Sequence, residues 1–305
     1  MFKTIDPKET ETAALQMLMQ GAIAPRPIAF ASTTDGNGNV NLSPFSFFNM
    51  FSTNPPILIF SPARRVRDNT TKHTLENALA TKEVVINIAT YNIVEQLSLA
   101  STEYDNGINE FIKSGLTPLA SEKVTPPRVA EAPVAFECRV NEVIPLGTEG
   151  GAGNLIICEV LLMHVNEQVL ASDGKSIDPV KLDAIARLGG DWYLRATSNC
   201  LFELPKPVRN KGIGVDQLPD FIRNSSILTG NNLGRLGNTE KEQVPTAEEV
   251  ALFRTSPVVA QLCQKLESNP ETLHQELIKL GKRLLEENKL TDAWKTLLLA
   301  GKVSE

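Results

Sequence analysis

The sequence has few of the residues that usually mark metal sites, disulfide frameworks or membrane spans. Its 305 residues include only four cysteines, Cys138, Cys158, Cys200 and Cys263, which are widely separated and form no CxxC pair. We therefore expect buried thiols rather than disulfides or metal ligands. No apolar run is long enough to cross a membrane, and the acidic N-terminal residues are unlike the basic start of a signal peptide. These absences predict a cytoplasmic protein.

The familiar catalytic motifs are missing as well. The three histidines, His73, His164 and His274, have no HExxH-like spacing, and the chain contains neither a GxSxG elbow nor a P-loop. A net charge of −6 argues against nucleic acid as a main partner, although a local basic pocket could still hold one phosphate. The missing acid–base machinery disfavours most hydrolases and lyases. It leaves open proteins in which a bound cofactor carries the chemistry.

What the sequence does contain is an ordinary globular composition, with 42% hydrophobic and 22% charged residues. This length can bury the core of one large or two modest domains. The clearest pattern lies between residues 25 and 90, where runs rich in apolar and β-favouring residues predict strands over 28–34, 56–61 and 84–89. The turn-forming sequence at 35–38 predicts a hairpin between the first run and residues 40–42.

The segment that follows this hairpin alternates hydroxyl and aromatic side chains. It is too polar for a core strand and too aromatic for an ordinary loop, and its members are Ser43, Pro44, Phe45, Ser46, Phe47, Phe48 and Asn49. Backbone N–H groups along it could hydrogen-bond the edge of a flat ligand, while the aromatic rings bound the ligand's faces.

A basic loop at 61–69 leads into a helix predicted over 71–81. A helix N-terminus offers free N–H groups and the positive end of the helix dipole, which suits a phosphate. Lys72 would add a charge, and Thr70, Thr71 and Thr74 would add hydroxyl donors. His73 could also donate to the phosphate or simply point outward. Alternatively, the threonines only cap the helix and the basic residues are solvated.

Four motifs in this part of the chain resemble the flavin reductase-like, flavoredoxin-type family. They are PRPI at 25–28, ST at 32–33, NxxPFSFFN at 41–49 and KxTxxN at 72–77. The resemblance covers about residues 24–197, with His73 where the family more often has Asp. It implies a split β-barrel that carries FMN, and a homodimer with FMN at or near the subunit interface.

The resemblance also implies which residues contact the cofactor. The expected FMN-binding residues are Arg26, Ser32, Thr33, Asn41, Ser43, Pro44, Phe45, Ser46, Phe47, Phe48, Asn49, Ser61, Lys72, His73, Thr74, Asn77 and Tyr193. From sequence alone Arg26 could instead be exposed or paired with a carboxylate, and Tyr193 could pack in the core. His164 is a candidate catalytic residue, with a hydrogen bond to a neighbouring backbone group as the alternative.

The remaining pattern predicts a mainly β protein with helices, of the α+β class. A helix is expected to begin at Asp6 and run to about residue 20, with shorter helices over 92–100 and 103–113 and a loop over 118–133. Long strands over 134–144 and 155–165 flank a glycine-rich loop at 147–153. Because a strand and not a helix follows those glycines, we expect a hairpin and not a dinucleotide-binding loop.

The predicted domains are a flavin reductase-like FMN-binding split barrel over 1–204, a long Gly/Asn-rich loop over 205–245 and a helical C-terminal extension over 246–305. The predicted function is an FMN-dependent oxidoreductase that takes hydride from NADH or NADPH and passes electrons to flavin or another acceptor. The alternative is an FMN-bearing electron-transfer protein with little nicotinamide turnover. A split-barrel enzyme that oxidises a pyridoxal-type amine is disfavoured by the motifs.

Overall fold

The computed structural model describes residues 1–105, 107–204, 207 and 211–303. The chain forms two compact units, Met1–Phe202 and Glu203–Glu305. No helix in the described ranges is long and apolar enough to cross a membrane. The four cysteines are free thiols; all are buried except Cys200, which is exposed.

The first unit is built on antiparallel strands. In chain order they are β1 Ala29–Thr34, β2 Val40–Phe45, β3 Phe48–Thr53, β4 Pro56–Phe60, β5 Glu83–Ile88, β6 Pro118–Leu119, β7 Arg128–Val129, β8 Val134–Pro145, β9 Asn154–Val165, β10 Ile185–Arg187 and β11 Tyr193–Arg195. Seven of them form one sheet in the order β2-β1-β5-β8-β9-β4-β3, while β6 pairs with β7 and β10 with β11. The hairpins predicted between β1 and β2 and between β8 and β9 are confirmed.

The order of the large sheet explains its shape. Its two edge strands, β2 and β3, are consecutive in the chain and only Ser46 and Phe47 lie between them. The sheet must therefore curl until its edges meet, which gives a barrel that is open along one line. We call the line between β2 and β3 the seam. The polar-aromatic segment at 43–49 crosses it, and its two ends lie in the edge strands β2 and β3.

One apolar layer lies on each side of the sheet. The barrel interior contains Phe60, Ile86, Cys138 and Ile156. Because successive side chains of a strand point to opposite faces, Phe30 of β1 enters the outer layer instead. Every residue of β1 is buried, as expected for a strand covered on both faces.

Five helices complete the first unit: α1 Thr12–Ala22, α2 His73–Thr81, α3 Val94–Leu99, α4 Glu110–Ser114 and α5 Pro179–Leu182. Two predicted helices are shorter than expected. Residues 7–10 form a turn and not the first turn of α1, since Asp6 accepts hydrogen bonds from the N–H of Lys8 and the hydroxyl of Thr10. The helix expected over 103–113 exists only as α4, and the short pair β6–β7 interrupts the predicted loop over 118–133.

The second unit is helical. Its helices are α6 Asp220–Arg223, α7 Gly230–Gly237, α8 Ala247–Phe253, α9 Pro257–Lys265, α10 Pro270–Glu286 and α11 Leu290–Val303. A capping box begins α8, where Thr246 and Glu249 exchange side chain–backbone hydrogen bonds of 2.8 and 3.3 Å. Leu273, Leu277 and Leu280 lie on the buried face of α10.

The prediction of a long loop over 205–245 is wrong for its described part. That part includes α6 and α7, and Ile222 and Leu236 are fully buried in the same apolar core as Trp294. The indole of Trp294 donates to the hydroxyl of Thr239 at 2.9 Å, which ties this segment to α11. The segment is therefore part of the helical unit. Five of its predicted residues, 205, 206 and 208–210, lie outside the described ranges.

Candidate functional site

A cavity of about 430 Å³ opens at the seam of the barrel. We call it the seam cavity. Its walls come from α1, from the polar-aromatic segment and from the loop that precedes α2. The lining residues are Gln16, Gln20, Pro44, Phe45, Ser46, Phe47, Ser61, Ala63, Arg64, Arg65, Val66, Arg67, Lys72 and Glu103.

One wall of the seam cavity is aromatic. Phe45 ends β2 and is anchored in the barrel interior, where its ring centroid lies 5.4 Å from that of Phe60. Phe47 crosses the seam and keeps 40% of its surface exposed. Pro44 and Ser46 complete this wall. The central part of the predicted segment therefore faces one cavity, as a binding surface for a flat ring would.

Another part of the cavity lining is positively charged. Lys72 is the N-cap residue of α2, and no described side chain caps the N–H groups of that first turn. Burial, and then the neighbouring Arg65 guanidinium, lower the pKa of Lys72, while Glu103 acts in the other direction. A partly buried ammonium beside an uncapped helix N-terminus is an arrangement that binds anions.

Two buried hydrogen bonds fix α2 against the β1–β2 hairpin. The amide of Asn77 donates to the Thr33 hydroxyl at 3.1 Å, and the amide of Asn41 donates to the Thr74 hydroxyl at 2.8 Å. Thr74 and Asn77 lie on one helix face because they are three residues apart. The KxTxxN motif thus positions Lys72 through its Thr and Asn.

The other hydroxyls predicted to bind phosphate have partners within the protein. Thr70 donates to Asp68 at 2.6 Å, and Thr71 donates to Glu76 at 2.5 Å. The hydroxyl of Ser32 is buried and donates to the carbonyl of Pro127. The candidate groups for anion binding here are therefore Lys72 and the backbone N–H groups of α2.

Ser61 and His73 lie at different places around the cavity. Ser61 lines the seam cavity and accepts a hydrogen bond from the Asn154 N–H at 3.0 Å. His73 lines a small neighbouring pocket of about 30 Å³ together with Asn41, Ser43 and Thr74.

The arginines of the basic loop were not among the predicted site residues. Arg65 donates to the Thr70 hydroxyl at 2.8 Å and to the Thr71 carbonyl at 2.5 Å, which holds the loop before α2 in place. Arg65 and Arg67 also both donate to Glu103. The hydrogen bond from Arg65 contributes most to lowering the pKa of Glu103, and the bond from Arg67 adds to it. Burial acts in the other direction, but the pKa still lies below its usual value. Glu103 was missed because nothing near it in the sequence points to the cavity.

Arg26 joins α1 to the barrel. It is buried, and its guanidinium donates to the carbonyls of Gln20, Ile23 and Leu188, the last two at 2.6 Å. The alternative of an exposed or carboxylate-paired Arg26 is therefore wrong. These bonds hold the C-terminal half of α1 beside the seam, and Gln16 and Gln20 enter the cavity wall for that reason.

Four other predicted residues do not line the seam cavity. Phe48 packs against the barrel interior, and Asn49 is exposed and accepts from the Met50 N–H. The ring of Tyr193 packs against the outer core and carries the Arg187 guanidinium 4.5 Å from its centroid. The Nε2 atom of His164 lies 2.6 Å from Oε1 of the buried Glu137, so its partner is a carboxylate and not the expected backbone group.

Comparison with known proteins places this geometry in a family. The model of the flavin reductase like domain matches residues 21–177. An uncharacterized protein from Aquifex aeolicus is 38% identical over 193 residues, which are 63% of this chain and 95% of that protein. Among solved structures, nitrilotriacetate monooxygenase component B from Bacillus cereus is 30% identical with a TM-score of 0.62, over 67% of this chain and 99% of its own.

A split-barrel protein from Shewanella frigidimarina, assigned as a flavin reductase, gives the same fold. It is 26% identical with a TM-score of 0.56, and the match covers 67% of this chain and all of that protein. The expected split barrel followed by a helical C-terminal region is confirmed. From the family match and the conserved architecture together, the chain belongs to the flavin reductase-like family.

Proposed function

We propose that this chain is an FMN-dependent oxidoreductase of the flavin reductase type. It takes hydride from NADH or NADPH and passes the electrons to flavin or another acceptor. The observation that carries the proposal is the pairing, in one cavity, of the aromatic wall at Phe45 and Phe47 with the cationic N-terminus of α2. A flavin ring and its phosphate need both of these features in one site.

The residues of the seam cavity fit a bound flavin mononucleotide. A volume of about 430 Å³ lies within the range of small-molecule sites. Pro44, Phe45 and Phe47 would contact the ring, and Ser46 and Ser61 offer polar atoms to its edge. Lys72 and the N–H groups of α2 would hold the phosphate.

The cationic end favours FMN over a flavin dinucleotide. The pocket next to Lys72 and His73 has a volume of only about 30 Å³. A pocket of this size would not enclose an adenosine, which supports a mononucleotide over a dinucleotide. A single terminal phosphate matches the uncapped N-terminus of α2.

The chain's own residues would bind and orient, and the flavin would supply the acceptance and release of hydride. Arg26 and α1 hold one side of the cavity, and the Thr33–Asn77 and Asn41–Thr74 bonds hold the other. Nicotinamide would have to approach the open side of the ring at reacting distance. His164 receives no catalytic role in this proposal, because Glu137 engages it away from the cavity lining.

We also include a homodimer in the proposal. On the edge strand β3, at the seam side of the barrel, Met50 is 62% solvent-exposed and Phe51 is 65% solvent-exposed. Large apolar side chains on an unpaired strand edge are features of subunit contacts. Sedimentation or light scattering of the purified chain tests this part separately.

The function is tested by absorbance spectra of the purified protein with FMN. After unbound flavin is removed, the sample is titrated anaerobically with NADH and, separately, with NADPH. Prompt bleaching of the bound flavin supports the reductase and identifies the donor. Bound flavin that stays oxidised would favour the electron-transfer alternative, and a protein that retains no flavin would contradict both.

A further inference from the structure

A second pocket of about 260 Å³ lies between α1 and the ring of Phe47. Leu15 and Met19 form its helical wall, because residues four apart lie on one face of a helix, and Ile23 extends this wall just after α1 ends. None of the residues of α1 is buried. This helix therefore presents an apolar face to a space that the protein itself does not fill.

The second pocket adjoins the seam cavity. Phe47, Gln16 and Gln20 line both spaces. A molecule in the second pocket would therefore lie against the same aromatic ring that bounds the proposed flavin site. That position suits a molecule that exchanges electrons with the flavin.

The pocket walls favour an uncharged ligand. Arg26 is the only charged residue among the described residues that line it. Its guanidinium already donates to the carbonyls of Gln20, Ile23 and Leu188, so it has little left to offer an anion. The cations that could bind the phosphates of a dinucleotide, such as Arg64 and Lys72, line the seam cavity instead.

We propose that the second pocket binds the electron acceptor, an uncharged aromatic molecule of one or two rings such as a quinone. This inference rests on the proposed flavin-dependent function and gives the acceptor its chemical class. A quinone held there would take up two electrons and one proton as hydride, which the bound reduced flavin would supply, and a second proton from water. It would leave as the hydroquinone.

Two methionines on α1 provide a matched pair of variants. Met19 lines the second pocket and is 51% exposed, whereas Met17 is 74% exposed and does not line it. Met19→Trp fills the pocket with a larger side chain, and Met17→Trp makes the same change on another face of the helix. Both positions are on the surface, so neither change disturbs a packed core.

The first measurement is binding of 1,4-naphthoquinone to the flavin-free proteins by equilibrium dialysis. The second is reoxidation of dithionite-reduced, FMN-loaded protein by the same quinone and, separately, by ferricyanide, which needs no apolar pocket. We expect Met19→Trp to weaken quinone binding and slow quinone reoxidation by at least about tenfold. Flavin retention and the ferricyanide rate should match the parent, and Met17→Trp should match it in every assay.

Each contrary result has a distinct meaning. Equal quinone binding and reoxidation in Met19→Trp and the parent would overturn the acceptor site while leaving the flavin function intact. A change of oligomeric state in Met19→Trp alone would assign this face to contacts between copies of the chain. If the parent retains no flavin, the proposed function fails and the acceptor site fails with it.

Discussion

The ammonium nitrogen of Lys72 lies 5.3 Å from the centroid of the Phe45 ring. One residue begins α2 and the other ends β2, so this contact joins the cationic and aromatic parts of the seam cavity. It also means that the charge is held beside an apolar ring without a direct carboxylate partner among the described ion pairs. Burial, and then the charge of Arg65, lower the pKa of Lys72, and a phosphate dianion at this point would offset that cost.

Lys72→Ala should weaken FMN binding roughly tenfold to a hundredfold, because a charge-assisted contact to phosphate contributes about 1.5–3 kcal/mol. Riboflavin lacks the phosphate, so its affinity should change little. Both dissociation constants can be measured by quenching of flavin fluorescence. The control is Lys113→Ala, which removes another lysine above an aromatic ring, Tyr104, and does not line the seam cavity. Equal losses of FMN and riboflavin would contradict the phosphate assignment.

The Thr33–Asn77 bond predicts a coupled pair of mutations. Thr33→Val and Asn77→Ala should each cost about 1–3 kcal/mol of unfolding free energy, because each leaves a buried polar partner without its hydrogen bond. The double variant should cost less than the sum. Urea unfolding of the four proteins measures this coupling, with the exposed Asn49→Ala as the surface control. Strict additivity would show that the two side chains act separately, as independent flavin contacts would.

The Glu137 carboxylate predicts a dependence of stability on pH. Burial raises the pKa of Glu137, but hydrogen bonds from the N–H groups of Glu122 and Lys123 and from His164 outweigh it, so the pKa lies below its ordinary value of 4.5. The ionised group therefore stabilises the fold fully above about pH 4.5. That stability is lost as the pH falls from there through the lower pKa of the folded state.

Glu137→Gln should therefore cost about 1–3 kcal/mol at pH 7, because an amide cannot accept all of these bonds. Its unfolding free energy should also fall less steeply than that of the parent below pH 4.5. Urea unfolding between pH 7 and the acid limit of solubility provides the curves. Glu142→Gln, at an exposed position of the same strand, should reproduce the parent. Parallel curves for Glu137→Gln and the parent would refute the assignment.

Two helical glycines of the second unit should respond to alanine with opposite signs. A Cβ atom at Gly281 would lie 2.6 Å from Leu297 Cδ2, so Gly281→Ala should destabilise the contact between α10 and α11 by about 1–3 kcal/mol. At Gly234 nothing lies within 4 Å, and Gly234→Ala should stabilise α7 by about 0.5–1 kcal/mol. Fluorescence of the buried Trp294, in a Trp192→Phe background, reports both changes. Stabilisation by Gly281→Ala would show that the helices are not packed this closely.

Local patterns were enough to predict six of the seven strands of the large sheet, whereas the split barrel was implied by the family resemblance. Those strands, both hairpins and the helix before residue 81 follow from residue types and turn signals that act over short distances. The helices over 220–237 were not predicted, because glycine and asparagine have low helix propensity and favour turns. Burial of Ile222 and Leu236 against Trp294 overrides that preference, and periodicity in so short a stretch does not reveal it.

The candidate site could be predicted in part for the same reason. Phe45, Phe47, Ser61 and Lys72 lie close together in sequence and come together at the seam. Gln16 and Glu103 reach the cavity only through tertiary structure: α1 is held by Arg26, and Glu103 is bound by the two arginines of the basic loop. Sequence could not distinguish side chains that line the cavity from those, such as Thr33 and Asn77, that support it from behind.

The hydrogen bonds of Arg26 also determine at which residue a shortened version of the first unit can end. Residues that match the family model end at 177, yet Arg26 pairs with the backbone of Arg187 and donates to the carbonyl of Leu188. A chain shortened to residue 177 would lose these partners and leave a buried guanidinium partly unsatisfied. The smallest fragment able to keep α1 beside the seam must therefore include the β10–β11 ribbon, so a boundary near residue 202 is the one to choose for isolated-domain work.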